Sequence, residues 1–118
     1  MADYVPGGGG AAGDSVANDL AGEYETVAAS STDQVLGITG AEGDYLKGVL
    51  IVPGTTAAAA VSIKDGGGSA ITIFAGGATS ALSDLTPFLV PLGLYSTAGA
   101  WQVTTGANVT AIGIGNFT

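Results

Sequence analysis

From Glu23 onward, apolar and polar residues alternate with a period of two, and the runs are short. "YETVAA" and "DQVLGI" read as brief strands, and "DYLKGVLIV" reads as a longer one stopped by Pro53-Gly54. "AVSIK" sets Val61 and Ile63 on one face, and "AITIF" does the same for Ile71 and Ile73. After the turn-like "AGGATSALSDLTP" come "FLVPLGLYS", "AWQVTT" and "NVTAIGIG". Gly, Pro, Asn and Asp punctuate the runs. About eight strands at such spacing predict an all-β fold, an antiparallel β-sandwich of jelly-roll-like form. Pro91 lacks the N–H that a central ladder needs, so "FLVPLGL" is expected at a sheet edge or a bulge. Helix is confined to a turn or two in "SVANDLAG" and "SALSDL".

The pattern is absent before Glu23. Residues 1–33 hold six acids, no base, and Val5, Val16, Leu20 and Val27 as their large aliphatics. Residues 1–22 therefore form an acidic, glycine-rich arm with too little apolar surface to offset its ordering entropy, and a mobile arm is expected ahead of a 23–118 body. The chain has 118 residues and a net charge of −8, and the charge is unevenly placed. Asp65 and Asp84 cancel Lys47 and Lys64, which leaves the whole net charge in the first 44 residues.

This balance excludes function classes. Nucleic-acid binding needs clustered Lys and Arg to displace counterions, and two lysines with no arginine cannot supply them. Anionic lipid is disfavoured for the same reason. No apolar run approaches the roughly 18 residues of a membrane span, and "MADYVPGGGG" lacks the basic and apolar regions of an export signal. Synthesis in a cytoplasm without export is the expectation. With no cysteine there are no disulfides or thiolate metal sites.

Candidate chemistry is thin. Lys64-Asp65-Gly66-Gly67-Gly68-Ser69 lies between two alternating runs; as a calcium or phosphate loop it lacks the carboxylates and the Lys-Ser/Thr pair, so it reads as a hairpin turn. Gly8 to Gly13 match G-x-G-x-x-G without the preceding strand and following helix of a dinucleotide site, and read as linker. No His or Cys is present to act as base or nucleophile. Glu23 with Glu25 and Glu42 with Asp44 are the carboxylate pairs, and acids so spaced are usually solvated charges. The Asn108 and Asn116 sequons carry no weight without a secretory signal. No enzyme activity, cofactor or metal is expected. Trp101, Tyr95, Tyr45 and Phe88 are either a sugar-binding platform or core and subunit contacts.

The body, roughly Tyr24 to Thr118, resembles small virion proteins of tailed bacteriophages and prophages in "DQVLG", "GDYL", "SIKDG", "AITIF" and "VTTGAN". The resemblance implies a head decoration, cement or head-fibre subunit: a β-sandwich on the outside of the capsid shell, partnered by the major capsid protein and commonly trimeric. Tyr4, Val5 and Pro6, the apolar cluster near the free end of the arm, are the expected anchor, with Trp101 a further contact candidate. The alternative is a carbohydrate- or receptor-binding module of a phage fibre or tail, with Trp101 and the tyrosines stacking on sugars.

Overall fold

The computed structural model describes residues 23–76 and 85–118. The arm with its Tyr4, Val5 and Pro6 anchor, the glycine run at 8–13 and "SVANDLAG" lie outside the described residues, as does most of "SALSDL". Eight strands follow in order: β1 (Glu23–Val27), β2 (Gln34–Val35), β3 (Tyr45–Pro53), β4 (Val61–Asp65), β5 (Ile71–Phe74), β6 (Phe88–Tyr95), β7 (Trp101–Thr105) and β8 (Val109–Asn116). Each falls, to within a residue, inside a run that alternation marks out, and no helix occurs among the described residues.

The strands form two four-stranded antiparallel sheets, ordered β1, β8, β3, β6 and β2, β7, β4, β5. Four of the pairings, β1 with β8, β2 with β7, β3 with β6 and β4 with β5, are those of one long hairpin whose tip lies between β4 and β5. Rolling that hairpin sets β8 beside β3 and β7 beside β4. This is a jelly roll, and the "KDGGGS" stretch is the tip of the rolled hairpin. Gly68 N–H donates to the Asp65 carbonyl at 3.0 Å and closes the turn.

Alternation then builds the core. Val61 and Ile63 of β4, Trp101 and Val103 of β7, Leu46, Val49 and Ile51 of β3, and Val109 and Ala111 of β8 are buried between the sheets. Leu36 enters from the β2–β3 connection. On the open side Phe74 and Phe88 meet edge to face at 5.6 Å and join the two sheets. Pro91 lies on β6, an edge strand, where its missing N–H costs no ladder bond. The register also shifts between Leu46 and Gly48: against β8 the extra residue is Lys47 of β3, and against β6 Lys47 stands opposite both Leu92 and Gly93, next to Pro91.

β8 inverts a simple expectation. Its "AIGIG" run sends the small residues inward, with Gly113 and Gly115 buried, while Ile112 and Ile114 point outward. Backbone crowding explains the choice. A Cβ on Gly115 would land on the Tyr45 carbonyl, and one on Gly113 would stand 2.8 Å from Leu36 Cδ1. Small residues are needed inside, so the isoleucines occupy the solvent side.

Candidate functional site

The two outer faces of the sandwich differ in chemistry. On β4 and β7 the residues between the buried ones are Ser62, Lys64, Gln102 and Thr104, and these face outward. Lys64 Nζ pairs with Asp33 Oδ2 at 3.1 Å, and Thr104 Oγ1 donates to Asp33 Oδ1 at 3.0 Å. The Lys64 hydrogen bond, and after it that of Thr104, hold the Asp33 carboxyl below the usual carboxylate range despite some desolvation. This is a polar surface on which the charge of Lys64 is paired.

The outer face of the other sheet is apolar. Register lays it out in rows across β1, β8, β3 and β6: Tyr24, Ile114, Gly48 and Pro91 in one, and Thr26, Ile112, Leu50 and Leu89 in the next. Val52 and Thr110 extend it toward one end, and Tyr45, Asn116 and Tyr95 border the other. Tyr24 is 73% exposed, Tyr95 61% and Leu89 52%. The Tyr45 and Tyr95 rings stand 4.8 Å apart, tilted by 43°. The outward positions of all four strands hold no acid, and Lys47 at the bulge is the one charged residue in β3, β6 and β8.

Most acids among the described residues are used elsewhere, chiefly as fasteners at the end where the chain enters β1 and leaves β8. Asp44 is 6% exposed, and its carboxylate accepts from Ala41 N at 3.0 Å, Thr118 N at 3.1 Å and Thr118 Oγ1 at 3.1 Å. Glu25 crosses to the opposite sheet, accepting from Gln34 Nε2 and Gly37 N, both at 2.8 Å. Glu23 accepts from Phe117 N at 3.3 Å. Asp65 holds the β6–β7 connection through Ala98 N at 2.9 Å, Thr97 N at 3.0 Å and Thr97 Oγ1 at 2.8 Å. The Ala98 amide foremost, then the Thr97 hydroxyl and amide, lower the Asp65 carboxyl against the opposing effect of desolvation. Its oxygens face N–H and O–H donors, so the hairpin tip is a turn whose aspartate ties down a neighbouring loop. No group of three or more potential metal ligands occurs among the described residues. Nor is any helix among them long and apolar enough to cross a membrane.

Trp101 is placed differently from a stacking platform. It is 2% exposed, and its Nε1–H donates to the Asp44 carbonyl at 2.9 Å in the interior. Its position on β7 is inward by alternation, between Ala100 and the outward Gln102. Of the aromatic residues singled out in the sequence, Tyr45 and Tyr95 come together at the surface, whereas Phe88 packs against the core. The outer-face residues Tyr24, Leu50, Leu89, Ile112 and Ile114 are the ones that sequence reasoning missed. Their signal was present in "VLIV", which is apolar at successive positions and so on both faces of its strand.

No protein family, curated protein or solved structure matches the chain.

Proposed function

We infer that this chain is a non-enzymatic virion structural protein, a decoration or cement subunit that self-associates, as a trimer, and coats or stabilises the outer capsid surface of a tailed bacteriophage. The observation that carries the reading is the asymmetry of the sandwich. One outer face is polar with its lysine paired, while the other presents a broad apolar surface free of acid. A patch of that kind marks a protein contact. Of the paired acids that would have to supply catalysis, Glu23, Glu25 and Asp44 are instead engaged with backbone amides. The resemblance of "DQVLG", "SIKDG" and "VTTGAN" to virion accessory proteins supplies the biological setting.

Mass photometry of the purified protein, alone and then with expanded empty capsids, tests the reading. A trimer that adds to shells in a fixed, saturable copy number is the expected result. A protein that leaves shells undecorated at saturating concentration refutes it. The surface pair Tyr45 and Tyr95 favours a second reading, a saccharide- or receptor-binding module of a fibre or tail. Under that reading a glycan array gives specific binding that Tyr95→Ala removes.

A further inference from the structure

We propose that the outer face of the β1, β8, β3, β6 sheet is the self-association surface of this protein, covered in the working assembly by further copies of the same chain. The proposal rests on the reading above, that the protein is an assembling structural subunit, and names which surface assembles it.

Three observations point to a copy of the chain as the occupant. The first is how the chain places its large apolar residues. They are scarce, yet Leu50, Val52, Leu89, Ile112 and Ile114 face outward on one sheet. A monomer gains little from that arrangement, because the hydrophobic effect rewards only area removed from water.

The second is area. Four strands about 4.8 Å apart and eight residues at about 3.4 Å each give a face of about 500 Å². Packed against an equal area of a neighbouring copy, such a face removes about 1,000 Å² from water in all, which reaches the size a specific interface requires.

The third is charge. The chain carries −8, so copies repel one another least where they meet through a surface without acids. The outward positions of this sheet are such a surface. Glu23 and Glu25 on β1 turn to the other side, bonded to Phe117 and to Gln34 and Gly37. Acids more than about 8 Å from the contact are largely screened at physiological salt. The apolar surface also continues round the edge strand β6 through Leu94 and Tyr95, which gives a neighbouring copy both a face and an edge to pack on.

The test is sedimentation velocity of the full chain in the absence of shells, on the wild type and on Leu89→Lys, Tyr24→Ser and Thr72→Lys. Leu89 and Tyr24 lie on the apolar face, and Thr72 is exposed on β5 of the other sheet. Adding a lysine reduces the net negative charge, so weaker association in Leu89→Lys does not come from a larger net repulsion between copies. The buried Trp101 reports folding through its emission, and Tyr24 is exposed enough that Tyr24→Ser leaves the core intact.

The wild type is expected to be oligomeric, with Leu89→Lys weakening association about tenfold or more, Tyr24→Ser acting in the same direction, and Thr72→Lys matching wild type. A wild type that stays monomeric at every concentration overturns the proposal, as does assembly unchanged in both face variants. Dissociation caused by deleting residues 1–22 but by neither face variant assigns the contact to the arm and also overturns it. Shell binding separates this proposal from the capsid reading. A monomeric wild type whose attachment to shells is lost in Leu89→Lys hands the face to the shell and refutes self-association, and with it the trimer, while attachment to the capsid stands. A protein that assembles through this face yet ignores shells supports the proposal and refutes the capsid reading.

Discussion

Replacing Gly115 and Gly113 by alanine, one at a time, tests the account of the inverted strand β8. Both glycines are buried on the inner face two residues apart, so propensity and burial are matched. They differ in what a methyl group would meet. At Gly115 it lands on the Tyr45 carbonyl, 2.9 Å from the Tyr45 carbonyl carbon and 3.1 Å from Leu46 Cα. That is backbone at the β3 bulge, held by β8 on one side and β6 on the other, and it cannot recede without breaking ladder bonds. At Gly113 the methyl stands 2.8 Å from Leu36 Cδ1 and 3.3 Å from Cδ2, the far end of a side chain that can rotate slightly. Overpacking a core costs about 1 to 3 kcal/mol. Restricting the unfolded chain returns about 0.4 to 1 kcal/mol in either variant. Gly115→Ala, at or beyond the upper end of that range, is therefore expected to lose about 2 kcal/mol or more. Gly113→Ala, at the lower end, is expected to lose about 1 kcal/mol or less. Urea denaturation followed by the emission of the sole tryptophan, Trp101, measures both. Equal losses in the two variants, or a Gly115→Ala protein within about 0.5 kcal/mol of wild type, would refute the crowding argument.

Further expectations follow from the fasteners and the arm. Asp44→Ala leaves the Ala41 and Thr118 amides and the Thr118 hydroxyl without their acceptor, and is expected to lower stability by about 1 to 3 kcal/mol in the same urea assay. Because the folded-state pKa of Asp65 is depressed, its contribution is fully present above the ordinary aspartate value of about 3.9 and is lost as pH falls through the lower folded value. Acid denaturation of Asp65→Asn is accordingly expected to show a shallower loss of stability below about pH 4 than wild type, and parallel curves would contradict the assignment. Deleting residues 1–22 is expected to weaken attachment to shells while the emission of Trp101 stays that of the folded body; unchanged attachment removes the arm from the docking argument.

Much of the architecture was legible along the chain because strands alternate strictly and turns concentrate Gly, Pro, Asn and Asp. The eight runs became eight strands, and Pro91 marked an edge, as its missing donor requires. Legibility ended where contacts join residues far apart in sequence. "AIGIG" alternates perfectly, but alternation does not say which parity faces the core, and only the approach of Tyr45 and Leu36 decides that glycine goes inward. Trp101 was readable as a platform or as core, and its inward register with a hydrogen bond to Asp44, 57 positions away, resolved the choice. Asp44 and Glu42 looked alike as loop acids. Asp44 became a buried fastener because Ala41 and Thr118 converge on it, and nothing local announces that convergence.

The strand order also bears on when the protein can fold. β8 comes after all its neighbours in the chain, yet it occupies an inner position of its sheet, between β1 and β3. Until it is made, β1 has no partner in that sheet and β3 exposes an unpaired, apolar edge. During synthesis the earlier strands must therefore wait as a sheet with its middle missing. A fold closed by contacts between the two ends of its sequence belongs among slow folders, in the millisecond-to-second range rather than microseconds. A waiting edge of "LIV" composition is also where nascent chains would stick to one another. In a cell making many copies of the chain, the yield of folded protein would be governed by how fast β8 fills the gap.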